Sequence, residues 1–191
     1  VVAFNGEIYN HLLLRQDLSS RNEISGWRGH SDTETLLMGF DIWGIQKTVE
    51  HVIGMFSFAV WDKKENSLTL GRDRVGEKPL YYGWQGKIFL FGSELKALVA
   101  HPAFDPEINR DAITLLLRYN CIPAPHSIYQ NIYKLSPGCL LRVSLKKPEP
   151  EIWQYWSAVD VILAGVKHPF AGSSDEAVDR LEDLATNAIG Q

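Results

Sequence analysis

Asn5, Gly6 and Glu7 place a side-chain amide, a glycine N–H and a carboxylate on three successive residues. An amide NH₂ and a backbone N–H at neighbouring positions can both donate to an oxygen that gains negative charge during acyl transfer. A carboxylate beside them can hold the ammonium of an amino acid. The same residues also read as an ordinary turn, because Asn-Gly is a frequent turn dipeptide. Asp32 carries the same ambiguity: it is either a second anion for a substrate ammonium or a helix-start carboxylate favoured by the helix dipole. Arg72, Asp73 and Arg74, followed by Gly76 and Lys78, concentrate charge within an apolar stretch. Burying an unpaired charge is costly, so this segment predicts a salt-bridged structural brace, with an anion-binding cluster as the other reading.

The other reactive residue types offer less. Cys121 lies in an apolar, proline-rich stretch and Cys139 opens a strand-like run, and neither has the cationic or helix-terminal surroundings that activate a thiolate. The six histidines are scattered without metal-ligand spacing, so no metal site is expected. No glycine-rich phosphate loop occurs. The local chemistry allows a carboxylate and oxyanion site, with no nucleophile present, and spacing implies nothing more.

These residues sit in a chain of 191 residues, 45% hydrophobic and 22% charged, with a formal net charge of -4. That composition fits a globular domain, or one domain and part of a second. Lys63-Lys64 and Lys146-Lys147 stand beside turn residues and read as solvated surface, so no nucleic-acid footprint is expected. The longest apolar run, Val52 to Trp61, falls short of the roughly 18 residues a membrane helix needs. Val1-Val2-Ala3-Phe4 has no basic region and is not read as a signal peptide. Two widely spaced cysteines without a CxxC fit a reduced, cytoplasmic chain. The first residues fall inside a strand-like run and the last inside a helical pattern, so flanking sequence is expected.

The elements that must position the chemistry follow from periodicity. Val1 to Phe4 predicts a buried strand running into a turn at Asn5-Gly6, and Leu12 to Leu18 a short helix followed by a polar loop, Ser19 to His30. Ser31-x-x-Glu34 has capping-box spacing and predicts a helix start there. Met55 to Trp61 is apolar on both pleat faces, a strand buried between two layers. Strands are expected over Ser67–Gly71, Pro79–Trp84, Lys87–Phe91, Leu140–Leu145 and Ile152–Trp156. Helices are expected over Ser93–Ala100 and from Asn109, with Ile108 as its staple and Leu115–Leu117 inward. Residues 121 to 138 read as an irregular crossing segment. After Trp156 the pattern loosens, until Ser173-x-x-Glu176 starts a helix with Val178, Leu181, Leu184 and Ala188 on one stripe. Hairpin-linked strands between helices argue an α+β class.

Asn5-Gly6-Glu7-Ile8-Tyr9-Asn10 resembles the glutamine-binding motif of the class II glutamine amidotransferases, members of the N-terminal-nucleophile hydrolase superfamily. Ser31-Asp32-Thr33-Glu34 is similar to that family's next substrate-binding segment. Gly54 to Ala59, Gly71 to Tyr82 and Ser93 to Leu98 resemble asparagine synthetases in order and spacing, as do Tyr119 to Pro125, Leu135 to Gly138 and Tyr155-Trp156. The resemblance implies a four-layered αββα sandwich, incomplete at its N-terminus. It implies that Asn5 and the Gly6 N–H form an oxyanion hole and that Glu7 and Asp32 bind the α-amino group of glutamine. The segment Arg72 to Lys78 keeps a structural role.

The resemblance also implies a division of the chain: a glutaminase domain over residues 1–156, a linker over 157–172, and the first helix of an ATP-binding synthetase domain over 173–191. The family's cysteine nucleophile and the arginine that grips the glutamine carboxylate belong upstream of Val1, and its ATP loop belongs after Gln191. Glutamine is therefore the expected partner of this chain. Aspartate, ATP and Mg are expected partners of the longer enzyme, and a homodimer is a candidate assembly. No cofactor is expected in residues 1–191, which alone should be inactive. Two other readings stay open: an amidotransferase acting on another carboxylate, and a non-catalytic binding domain.

Overall fold

The segment from Gly54 to Asp62 forms a strand covered on both faces, and the rest of the chain is layered about it. The structure, a computed structural model, describes residues 1–20 and 26–190; residues 21–25 of the expected polar loop, and Gln191, lie outside the described residues. In chain order the elements are β1 (Val2–Ile8), α1 (His11–Ser19), α2 (Asp32–Ile42), α3 (Ile45–His51), β2 (Gly54–Asp62), β3 (Ser67–Arg72), β4 (Tyr81–Gln85) and β5 (Ile88–Gly92). They continue with α4 (Leu95–Val99), α5 (Arg110–Tyr119), β6 (Ile132–Lys134), β7 (Cys139–Ser144), β8 (Glu151–Gln154), α6 (Ala158–Lys167) and α7 (Ser174–Ile189).

Two antiparallel sheets result, one in the order β1-β2-β3-β7-β8 and the other β5-β4-β6. Period-two alternation along β2 explains how it serves two cores. Phe56, Phe58 and Val60 face helices α1 to α3, where they meet Leu14, Leu36, Phe40 and Val49. Ala59 faces the other way, into a core between the sheets built with Leu70, Leu80, Tyr82, Leu135, Leu141 and Val143. The outer face of the smaller sheet is covered through Leu90, Ile132, Leu98, Phe104 and Tyr129. This is the expected αββα layering.

Four local expectations differ. Asn5-Gly6 is no turn: β1 runs through it to Ile8, and it is half-exposed rather than buried. Residues 132–134 of the supposedly irregular crossing segment form β6, a strand too short to carry a periodic signal. The loosened stretch after Trp156 contains helix α6, with Ser157 accepting from the Asp160 N–H at 3.2 Å. Only Asp160 and Lys167, seven residues apart on one face, mark the helical period in an otherwise apolar run. On α5 the buried residue is Ala112, while Leu117 is 80% exposed; Ile108, ahead of it, forms a main-chain bridge to Tyr129.

The Arg72–Lys78 segment is a brace, but not a salt-bridged one. Asp73 is buried, and its carboxylate accepts from five main-chain N–H groups: Val75 at 3.2 Å, Gly76 at 2.6 Å, Glu77 and Lys78 at 2.9 Å, and Phe56 at 3.3 Å. Arg72 donates to three carbonyls, those of Lys78 at 2.8 Å and of Gly76 and Leu135 at 2.7 Å. Burial lowers the Arg72 pKa, an effect that the neighbouring Asp73 charge opposes. Main-chain dipoles therefore take the place of the expected ion pair. With its guanidinium committed to carbonyls, Arg72 does not offer an anion site. Arg74 likewise donates to the Glu50 carbonyl at 2.9 Å.

Asp73→Asn should test this brace. The amide oxygen can serve one set of N–H groups, but the NH₂ then opposes the others, leaving buried donors unpaired. The expected loss is about 3 kcal/mol of unfolding free energy in urea. An unchanged midpoint would show that the brace is dispensable.

Candidate functional site

Among the described residues β1 is an edge strand with β2 on one side only. The register pairs Asn5 with Ser57, Gly6 with Phe56 and Glu7 with Met55. In an antiparallel ladder, successive residues turn their N–H and C=O groups alternately toward and away from the neighbour. The phase is fixed at both ends: Trp61 donates to the Val1 carbonyl at 2.9 Å, and Tyr9 donates to the Ile53 carbonyl at 2.8 Å. Odd-numbered residues of β1 therefore bond to β2, and the N–H groups of Gly6 and Ile8 point off the free edge. Phe56, the partner of Gly6, spends its own N–H and C=O on Asp73, at 3.3 Å and 2.9 Å.

Gly6 is required here by space. A Cβ at this position would stand 2.2 Å from the Met55 carbonyl oxygen and 2.6 Å from the Phe56 Cα. At Gly54, opposite Ile8, an added Cβ would likewise stand 2.2 Å from the Glu7 carbonyl oxygen. Two glycines thus let β1 and β2 approach closely around the Gly6 peptide.

Side-chain alternation sends Asn5 and Glu7 to the face opposite Phe4 and Ile8, away from the helices and toward the second sheet. There Asn5 lines a cavity of about 180 Å³ with Ala3, Ser57, Phe58, Leu80, Phe91 and Ser93. Its Nδ2 donates to Ser93 Oγ at 3.1 Å. Glu7 is exposed one pleat further along. Burial raises the Tyr9 pKa, and the Glu77, Glu7 and Asp73 carboxylates raise it further, so this end of β1 is electronegative.

Asp32 reaches the same place from another element. It occupies the first turn of α2, whose N-cap, Ser31, accepts from the Glu34 N–H at 3.2 Å. Asp32 Oδ2 accepts from the Ile8 N–H at 3.0 Å and Oδ1 from the Thr33 N–H at 2.6 Å, with the Thr33 hydroxyl at 3.3 Å. A carboxylate has about four acceptor positions, so capacity for one more donor remains. The structure thus brings Asn5, Gly6, Glu7 and Asp32 to one strand edge. Arg72, Asp73, Gly76 and Lys78 stand behind that edge as support.

Glu34 completes the expected capping box only in part. Its carboxylate accepts from the Arg28 N–H at 2.8 Å and the Gly29 N–H at 2.9 Å. Arg15, buried and not singled out by the sequence, donates to Thr35 Oγ1 at 2.7 Å and to the Gly29 and Ser31 carbonyls at 2.8 Å. Together they fix the approach to Asp32. A second cavity of about 220 Å³, lined by Trp84, Asp105, Glu107 and Gln130, is separate from the Asn5 edge. Cys139 is buried, and burial pushes its thiol pKa up, which makes it a poor nucleophile.

A family model described as a glutamine amidotransferase domain matches residues 1–156. A putative glutamine-hydrolysing asparagine synthetase 2 of Methanocaldococcus jannaschii is 36% identical over 167 residues, covering 84% of this chain and 30% of the relative. The glutamine-hydrolysing asparagine synthetase 3 of Bacillus subtilis is 35% identical over 189 residues, covering 98% of this chain and 29% of the relative. This chain thus spans less than a third of the length of these curated relatives. Glutamine phosphoribosylpyrophosphate amidotransferase from B. subtilis, solved with ADP and GMP, superposes with a TM-score of 0.56 at 18% identity, over 81% of this chain and 28% of its own. That likeness shows the fold, an αββα sandwich.

The loop that delivers Asp32 should be acid-sensitive. The Arg28 N–H, with the Gly29 N–H and Arg15, holds the Glu34 pKa below its ordinary 4.5, against a smaller opposing effect of burial. A depressed carboxylate pKa stabilises the fold above the unfolded-state value, and that stabilisation is lost as pH falls through the folded-state value. Glu34→Gln should therefore flatten the fall in Tm below about pH 4.5. An acid limb identical to wild type would contradict the assignment.

Proposed function

This chain belongs to the glutamine amidotransferase domain family, and we propose that it carries the glutamine site of a longer, ATP-dependent asparagine synthetase. The observation that carries this reading is the ladder register of β1. It directs the Gly6 N–H off the free edge next to the Asn5 amide, while Asp32 holds the following edge N–H, that of Ile8.

In this reading a cysteine thiolate at the mature N-terminus of the longer protein attacks the side-chain carbonyl of glutamine. The carbonyl electrons move onto oxygen, and Asn5 Nδ2–H and Gly6 N–H donate to that oxyanion. Both donors are positioned before the charge appears, one by the strand and the other by its own side-chain bond. The C–N bond then breaks and ammonia leaves with a proton; water cleaves the thioester and releases glutamate and the thiol. Glu7 and Asp32 hold the α-ammonium, helped by the negative field that also raises the Tyr9 pKa. Asp32 contributes its remaining acceptor position.

The rest of the division follows the same reading. Residues 1–156 form the glutaminase domain, 157–172 connect it, and α7 begins the synthetase domain. Helices α6 and α7 bury none of their residues, and Val178, Leu181 and Leu184 of α7 are more than half exposed. The sequence of this chain carries no glycine-rich phosphate loop for ATP and its magnesium. Their site, and that of the aspartate that accepts ammonia, is assigned to the remainder of the longer protein, working in the cytoplasm.

Two measurements on the full-length protein test this. Intact mass after treatment with diazo-oxo-norleucine should show one adduct, mapped to an N-terminal cysteine. Asn5→Ala should lower kcat for glutamine hydrolysis about 100-fold, the usual effect of removing an oxyanion donor. Glu7→Gln should act mainly by raising KM. A protein that neither forms the adduct nor hydrolyses glutamine would refute the assignment.

A further inference from the structure

Asn5 projects from an edge strand of one sheet, and Ser93 stands at the end of β5, an edge strand of the other. The Nδ2–Oγ bond of 3.1 Å spans the cavity between them and joins residues 88 positions apart. We propose that Ser93 is a positioning residue for the Asn5 amide, an inference that rests on the reading of Asn5 as an oxyanion donor.

Donor count makes the arrangement workable. A primary amide has two N–H donors and a hydroxyl has two acceptor positions. Ser93 uses one donor of Asn5 and leaves the other for the substrate oxygen. In this bond the hydroxyl receives the NH₂ end, and the donor end of the amide is held in the cavity. Asn5 is exposed on an edge strand, with little packing to restrict its side-chain torsions. Terminal amide torsions are broad without such a restraint.

Ser93 is itself well fixed. Gly92, before it, pairs with Tyr81, and a Cβ on Gly92 would stand 2.9 Å from Leu98 Cδ1. The turn from β5 into α4 is therefore packed against the buried Leu98. The placement of Asn5 thus depends on both sheets: its main chain is set by β2 and its amide by β5. Ser93 needs no contact with glutamine to act in this way, and its loss should slow the chemical step without weakening substrate binding.

The test is a double-mutant cycle on glutamine hydrolysis by the full-length protein. Ser93→Ala should lower kcat about 10-fold, as a loosened catalytic group does, with KM within about twofold of wild type. Ser93→Thr, which keeps the hydroxyl, should recover most of that loss. In an Asn5→Ala background, Ser93→Ala should cost nothing further, since its effect passes through Asn5. A kcat for Ser93→Ala within twofold of wild type, or an equal fall in both backgrounds, would overturn the inference. A wild-type protein inert toward glutamine would overturn the underlying site assignment instead, and this inference with it.

Discussion

The buried carboxylate of Asp73 is the constraint on which the rest of the structure depends. A charge with 1% of its surface exposed is tolerated only if its acceptor positions are filled, and here main-chain N–H groups fill them. Four come from the loop that follows and one from Phe56 in β2. The Asp73 carbonyl accepts from Gly138 at 2.8 Å, the Gly138 carbonyl accepts from Tyr155 at 2.8 Å, and the Tyr155 hydroxyl donates to the Arg72 carbonyl at 2.9 Å. One short segment thereby joins β2 and β3 to the start of β7 and the end of β8, which lie side by side. The same geometry turns the polar groups of Phe56 toward Asp73 and leaves Gly6, its partner across the ladder, facing the open edge.

From that edge the candidate site follows with few further requirements. Strand geometry assigns three directions at once: core side chains to the helices, Asn5 and Glu7 to the inter-sheet side, and the Gly6 N–H outward in the plane of the sheet. An open edge is ordinarily a liability, because unpaired N–H and C=O groups invite other strands. Here α2 covers part of it by giving Asp32 to the Ile8 N–H. Two elements therefore bring the four candidate residues together. Edge geometry holds three, and one helix N-terminus supplies the fourth.

How much of this was legible in the sequence varied with the range of the interaction concerned. The apolar pattern of Met55 to Trp61 gave away the doubly covered strand because pleat alternation is local. Ser31, Asn109 and Ser173 marked helix starts because capping acts over three residues. Asn5-Gly6 misled for the same reason: the dipeptide favours turns, whereas its glycine serves a close approach to Met55 and Phe56 some 50 positions away, as the register shows. The charge of Arg72 and Asp73 announced a brace, but not that carbonyls and amides would neutralise it. Ser93 belonged to a familiar motif, yet its bond to Asn5 follows only once the two sheets are stacked. The roles proposed for Asn5, Glu7 and Asp32 rest on resemblance, since their spacing alone also allows a turn and a helix cap.

In the proposed site, Asn5 Nδ2 and the Gly6 N–H converge on one oxygen at the edge of β1. The most direct test is a crystal structure of the full-length protein carrying the covalent diazo-oxo-norleucine adduct. The adduct's carbonyl oxygen should lie within about 3.1 Å of both donors, with its ammonium against Glu7 and Asp32. An adduct oxygen that meets neither Asn5 nor Gly6, with the β1 edge unoccupied, would contradict it.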